Sequence, residues 1–180
     1  MLLKSILSKG IILLTIFSFL SCSTNPVEDV INETLMPTVG VGDITFQDSG
    51  NKVVETYGTY DEITAIVSPD GAQFVIWYED EGLGFQMEHV DVGSRSLQEI
   101  VDESELLIDL NKSLTTMVFM SKFKGTTMEG IGIGTSRDQV IEAYGEPDDI
   151  GSLAEDYDDL KMSVWYNSTN ESVRRIDLFR

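Results

Sequence analysis

The chain carries one cysteine, one histidine, four prolines and 12 basic residues, set against 31 acidic ones, in 180 residues. A single cysteine excludes an internal disulfide, a Cys-x-x-Cys redox pair and a Cys-rich zinc site. A single histidine, His89, excludes paired-His metal sites and makes imidazole chemistry a poor fit; it reads as a half-exposed strand residue. The shortage of positive charge leaves a formal net charge of −19. Such a surface repels phosphate backbones, which excludes nucleic acid as a partner. No Gly-x-Ser-x-Gly elbow or His-Glu-x-x-His zinc motif occurs. No apolar run reaches the roughly 20 residues that span a bilayer. With 42% hydrophobic and 24% charged residues, most of the chain has the composition of a folded protein. Its length suits one domain, or two small ones sharing a core.

The start of the chain reads as an export signal. Lys4 and Lys9 form a positive region, and Ile11 to Leu20 is apolar apart from Thr15 and Ser18. That run is short for a membrane span and suits a cleavable signal. The only cysteine, Cys22, follows at once in Phe19-Leu20-Ser21-Cys22. This resembles the bacterial lipobox, in which a small residue precedes a cysteine that is lipidated and becomes the new N-terminus. Phe19 departs from the common pattern, with the expected leucine displaced to Leu20. The resemblance implies a signal peptide over residues 1–21, a lipid attachment site at Cys22 and a lipid-anchored protein of the bacterial envelope, on the outer membrane ahead of the inner. The alternatives are a secretory signal with an incidental cysteine and an uncleaved helical anchor. Losing Lys4 and Lys9 from 12 basic residues leaves 10 against 31 acidic ones, a net charge of −21. Anionic headgroups would repel such a body, so the membrane contact falls to the acyl chains.

Residues 22–37, polar and acidic with Pro26 and Pro37, read as a flexible tether. Beyond it lies an internal repeat. Asp48 to Gly58 aligns without gaps on Thr135 to Gly145, with identities at Ser49/Ser136, Val53/Val140, Glu55/Glu142, Tyr57/Tyr144 and Gly58/Gly145. Upstream, Ile44 and Phe46 match Ile131 and Ile133; downstream, Trp77-Tyr78 matches Trp165-Tyr166. The reading is repeat 1 over residues 38–125 and repeat 2 over 126–180, forming one continuous folded unit.

Each unit has a physical reading. Ser49 and Ser136 are helix N-caps, and only Ser136, with Gln139, has capping-box spacing. Val53, Val54 and Tyr57, like Val140, Ile141 and Tyr144, form one apolar helix face. Gly58 and Gly145 close the helices. The period then changes to two, predicting strands at 63–67, 74–78, 83–90, 115–123, 161–166 and 173–179. Ser68-Pro69-Asp70-Gly71 and Asp80-Glu81-Gly82 are turn signals. A third helix is predicted from Leu97 to about Leu110, capped by Ser96 with Glu99. The fold class is α+β, a helix laid on an antiparallel meander and used twice.

Gly130 to Pro147, with the later Trp165-Tyr166 and a closing Val-x-x-Ile strand, resembles small bacterial lipoproteins with the β-lactamase-inhibitor-protein-like fold. That group includes the small lipoprotein subunit of the outer-membrane β-barrel assembly machinery. The resemblance covers about 50 residues well and Ile44 to Tyr78 less well. The first unit lacks the glycines around Ile44 and has Thr59-Tyr60 where the second has Glu146-Pro147. Tandem use of the unit implies two repeats sharing one sheet. The matching residues are caps, turns and core, which carry fold rather than function.

The chemistry is sparse. The run Gly130 to Gly134 lacks the Lys-Ser/Thr of a phosphate loop and reads as a closely packed strand before a capped helix. Residues 146–159 hold seven carboxylates; calcium is conceivable there, but without EF-hand spacing the segment reads as a solvated acidic loop. Met117, Met120, Met128 and Met162 read as core. No cofactor or metal site is expected, and no catalytic residue. Trp77, Tyr78, Trp165 and Tyr166 are the candidate partner-binding residues; strand alternation turns one member of each pair inward, and core filling is favoured for the tryptophans. The leading reading is a lipid-anchored, non-enzymatic binding or scaffold protein whose protein partner is basic by charge complementarity. The alternatives are an outer-membrane protein assembly factor and a carboxylate-dependent envelope glycan hydrolase.

Overall fold

The computed structural model describes residues 33–152, 154–169 and 171–180. The signal, Cys22 and residues 22–32 of the expected tether lie outside the described residues. The elements, in order, are β1 (Thr34–Met36), β2 (Gly40–Val41), β3 (Ile44–Thr45), α1 (Gly50–Tyr57), β4 (Glu62–Ser68), β5 (Gly71–Tyr78) and β6 (Leu83–Met87). Then come α2 (Leu97–Asp102), α3 (Ser104–Leu107), β7 (Leu114–Phe119), β8 (Thr126–Thr127), α4 (Arg137–Tyr144), β9 (Asp149–Ile150) and β10 (Ala154–Tyr157). A 3₁₀ turn (Asp158–Leu160) leads to β11 (Met162–Tyr166) and β12 (Val173–Phe179). The fold is α+β.

Two sheets form. The larger has eight strands in the order β4-β5-β6-β7-β12-β11-β10-β9, and the smaller has four in the order β3-β2-β1-β8. All neighbours in the larger sheet run antiparallel. The meander β4 to β7 meets the meander β9 to β12 along their last strands, through the register Val118↔Asp177 and Met117↔Leu178.

Alternation decides the two faces of the large sheet. Ile63, Ile76, Phe85, Met117, Leu178, Met162 and Tyr157 make one cross-strand row. They join Val53 of α1, Ile100 of α2 and Val140 of α4 in a single core, together with Leu35, Val41 and Ile44 of the small sheet. Helices and small sheet therefore cover one face.

The helix ends behave as their residues dictate. Ser136 accepts from the Gln139 backbone N–H while the Gln139 side chain accepts from the Ser136 N–H, a complete capping box. Ser49 makes no side-chain cap bond. Gly58 (φ 86°) and Gly145 (φ 83°) close their helices and donate to Val54 O and Ile141 O.

Several expectations are corrected. Residues 34–36, assigned to the tether, form β1, which pairs in parallel with β8 and buries Leu35 completely. An alternating Thr-Leu-Met triplet is too short to signal a strand by period alone. The helix expected over 97–110 breaks at Glu103 into α2 and α3, where Glu99, Asp102, Glu103 and Glu105 crowd like charges at helical spacing. The strand expected to reach Phe123 ends at Phe119. Gly130 to Gly134 is a pair of turns with a single bridge, Thr126↔Gly132, rather than a strand. The acidic segment 146–159 is not simply a loop: it contains β9 and β10, and Glu155 within it is buried. Met120 and Met128 are exposed, whereas Met117 and Met162 are core residues.

Candidate functional site

The face of the large sheet opposite the helices carries a second row. Glu62, Trp77, Gly84, Val118, Asp177, Ser163, Asp156 and Asp149 lie side by side across all eight strands. Trp165 belongs to the same face, two residues beyond Ser163 and opposite Arg175. With strands about 4.8 Å apart, the two tryptophans stand roughly 20 Å from each other. Both are half-buried. Val75 and Val118 on this face are buried yet stand apart from the main core.

Each tryptophan is held by its neighbours. The Trp77 indole lies across Gly84, where a Cβ would come within 2.4 Å of the ring, and its Nε1 donates to Thr64 Oγ1 at 2.9 Å. Trp165 Nε1 donates to Asp177 Oδ2 at 3.1 Å. A register shift in β12 beside Trp165 sets two guanidinium groups over one indole, Arg174 at 6.0 Å and Arg175 at 5.3 Å from the ring centre. Arg175 also pairs with Asp177 at 2.6 Å. Burial pushes the Asp177 carboxyl up, against the opposing pull of Arg175 and of the Trp165 N–H.

An open cleft of about 480 Å³ adjoins Trp77, lined by Glu62, Thr64, Met120, Lys122 and Arg175 among others. Lys122 is tied to Asp80 at 2.7 Å. The cleft thus offers an aromatic wall, a methionine and groups of both charges. This suits recognition of a mixed polar and apolar surface.

The tyrosines expected beside the tryptophans are elsewhere. Tyr78 is 2% exposed and Tyr166 is 7% exposed, both on the core side. The Tyr78 hydroxyl donates to Gly58 O at 2.9 Å, and its ring packs on Tyr57 at 5.5 Å. Burial removes Tyr78 and Tyr166 from the candidate interface, and the preference for the tryptophans as core residues is likewise reversed. The core side of this α+β sheet is already filled by aliphatic residues and tyrosines from both meanders. The matched Trp-Tyr pairs also differ in strand count: Trp77 is on the second strand after α1, Trp165 on the third after α4, because the short β9 intervenes.

A second hollow, of about 340 Å³, opens beside Arg137, Glu155, Tyr166 and Asn167. Arg137 at the start of α4 pairs with Glu155 on β10, Nε to Oε1 at 2.6 Å. Glu155 Oε2 and the hydroxyls of Tyr157 and Tyr166 are buried with no hydrogen-bond partner among the described residues. Burial pushes the phenols of Tyr157 and Tyr166 up, and the Glu155 carboxylate adds to this. The pair fastens α4 to the sheet. Sequence reading placed Glu155 among solvated acids; only the pairing Glu155↔Val164 turns it inward.

Among the described residues no three histidine, cysteine or acidic side chains come together as a metal site, and no helix is long and apolar enough to cross a membrane.

No protein-family model matches the chain, and no curated protein matches it. Among solved structures, it is similar to the crystal structure of the uncharacterized protein yfeY from Escherichia coli, with 9% sequence identity and a TM-score of 0.46. The match covers 79% of this chain and 97% of that chain.

Proposed function

We propose that the chain is a lipid-anchored, non-enzymatic binding or scaffold protein of a bacterial envelope, held by Cys22, which recognises a protein partner on the outer face of its eight-stranded sheet. One observation carries the recognition reading: Trp77 and Trp165 stand half-exposed on one sheet face, each fixed by a hydrogen bond, and Trp77 borders an open cleft. Rigid, partly apolar aromatic rings lose little entropy on docking, which is why they anchor interfaces. Tandem β-lactamase-inhibitor-like repeats are the architecture we assign. In support, α1 and α4 have eight residues each at an offset of 87, both closed by glycine, and two meanders join through β7 and β12. The anchor rests on Lys4, Lys9, the apolar run from Ile11 and the position of Cys22.

Recovery of a partner from detergent-solubilised envelopes tests the reading. The full chain should retain one partner consistently, and the double variant Trp77→Ala, Trp165→Ala should lose it while keeping its circular dichroism. Turnover of an envelope substrate with no partner retained would favour an enzyme instead.

A further inference from the structure

The two edges of the large sheet differ. β9 is two residues long and begins with Asp149, a short acidic edge of the kind that resists pairing. β4 is seven residues long and, among the described residues, pairs only with β5. It has no proline, glycine or lysine, and its one charge, Glu62, is at its start. An edge with these features is a template for another strand.

Apolar surface gathers at the same place. Ile66 is 45% exposed and Val67 40% on β4 itself, and α2 and α3, which pack against β4, expose Leu97 at 63%, Val101 at 50% and Leu106 at 84%. These are five of the nine large hydrophobics exposed among the described residues, a concentration that marks an interaction site.

The charge around the edge selects the occupant. Asp61 and Glu62 stand where the strand begins, and α2 and α3 bring Glu99, Asp102 and Glu105 alongside. Tyr60 donates to Glu105 at 3.1 Å, which fixes α3 beside the start of the strand. The nearby Arg95 is already engaged with Glu103 at 3.3 Å. A second copy paired in parallel would set these acids against their own duplicates, and one paired antiparallel would place Glu62 opposite Ser68, with no basic residue in β4 to meet it.

We infer that β4 accepts an extended basic segment of a partner protein as a ninth strand. Its backbone pairs with the free edge. Its apolar side chains meet Ile63, Ala65 and Val67 on the side of α2 and α3, and its basic side chains, alternating to the other face, reach Glu62. The inference rests on the reading of the chain as a binding protein but puts the contact at the sheet edge, away from Trp165.

The test uses the full chain and a short synthetic peptide alternating valine and lysine, read by hydrogen exchange and by fluorescence anisotropy. The peptide should slow exchange at alternate amides of β4 by about tenfold or more. A peptide methylated at alternate backbone nitrogens, or one alternating valine and glutamate, should not. Ile66→Lys, at an exposed position, should abolish the effect with unchanged circular dichroism, as should Glu62→Lys. Trp165→Ala should keep it, which separates failure of the edge from failure of the tryptophan face. Unchanged β4 exchange with the valine-lysine peptide would overturn the inference, as would equal binding of the methylated peptide. A self-association that Ile66→Lys disperses would also overturn it, assigning the edge to a second copy of the chain.

Discussion

Trp77 lies directly across Gly84 of the neighbouring strand, so that the glycine's missing Cβ is the space the indole occupies. Gly84 adopts an ordinary strand conformation, and its role is this close approach rather than an unusual backbone. Gly84→Ala should therefore push the ring away from the sheet and break the 2.9 Å bond to Thr64. The expected cost is about 1–2 kcal/mol, typical of overpacking. In a Trp165→Phe background, Trp77 emission should shift to the red; emission and stability unchanged by Gly84→Ala would refute this packing.

The two helices look alike but are capped differently. Ser136→Ala removes a cap bond and should cost about 1 kcal/mol in urea unfolding. Ser49→Ala removes no side-chain bond and should change stability by only a few tenths of that. Equal losses at both serines would show that the capping box at Ser136 contributes nothing.

Arg137 and Glu155 are a partly buried ion pair whose carboxylate side chain is 4% exposed. Arg137→Ala leaves that carboxylate buried beside the phenols of Tyr157 and Tyr166 without its cation, and should cost about 3 kcal/mol or more. Replacing both partners with apolar residues should recover most of the loss, because no unpaired charge is then left behind. Failure of the double variant to recover would place the Arg137 contribution in helix packing instead.

Acid and alkali act on different groups. Burial raises the Asp177 carboxyl, so the folded chain binds this proton more tightly than the unfolded one. The stabilisation is complete below the unfolded value of about 3.9 and is lost as pH rises through the higher native value. Asp177→Asn has no such loss, so its stability relative to the parent should improve between about pH 3 and pH 7. A difference independent of pH would contradict this.

All six tyrosines are raised, by burial in every case, with Tyr78 pushed up to about 12. Their contribution holds below the unfolded value of about 10 and is lost as pH climbs through the native values. Phenolate absorbance should therefore appear together with loss of circular dichroism, rather than as an ordinary titration of a folded protein. A full phenolate signal from a still-folded chain would exclude the buried placement of these rings.

Local signals in the sequence reached local structure. Val53 with Tyr57 and Val140 with Tyr144 mark two helices, and Ser68-Pro69-Asp70-Gly71 marks the hairpin whose β5 begins at Gly71. β12 falls on the predicted residues 173–179. What escaped depended on distant partners. β1 exists because Thr34 and Leu35 meet Thr126 and Thr127, and β9 and β10 exist because Asp156 pairs with both Asp149 and Ser163. Alternation showed that Trp77 and Tyr78 face opposite ways but not which faces the core; Phe74, Ile76 and Phe85 settle that by claiming the inner face. The β4 edge was invisible because nothing in Glu62 to Ser68 says that a strand lies at the end of its sheet.

The most direct measurement is site-specific photo-crosslinking in living cells, with a photoreactive residue placed at Thr64 or Ser163 on the tryptophan face, or at Lys52 on the helix side. Recognition through the sheet predicts one shared crosslinked partner from Thr64 and Ser163 and none from Lys52. Crosslinking from Lys52 with silence from both sheet positions would contradict it.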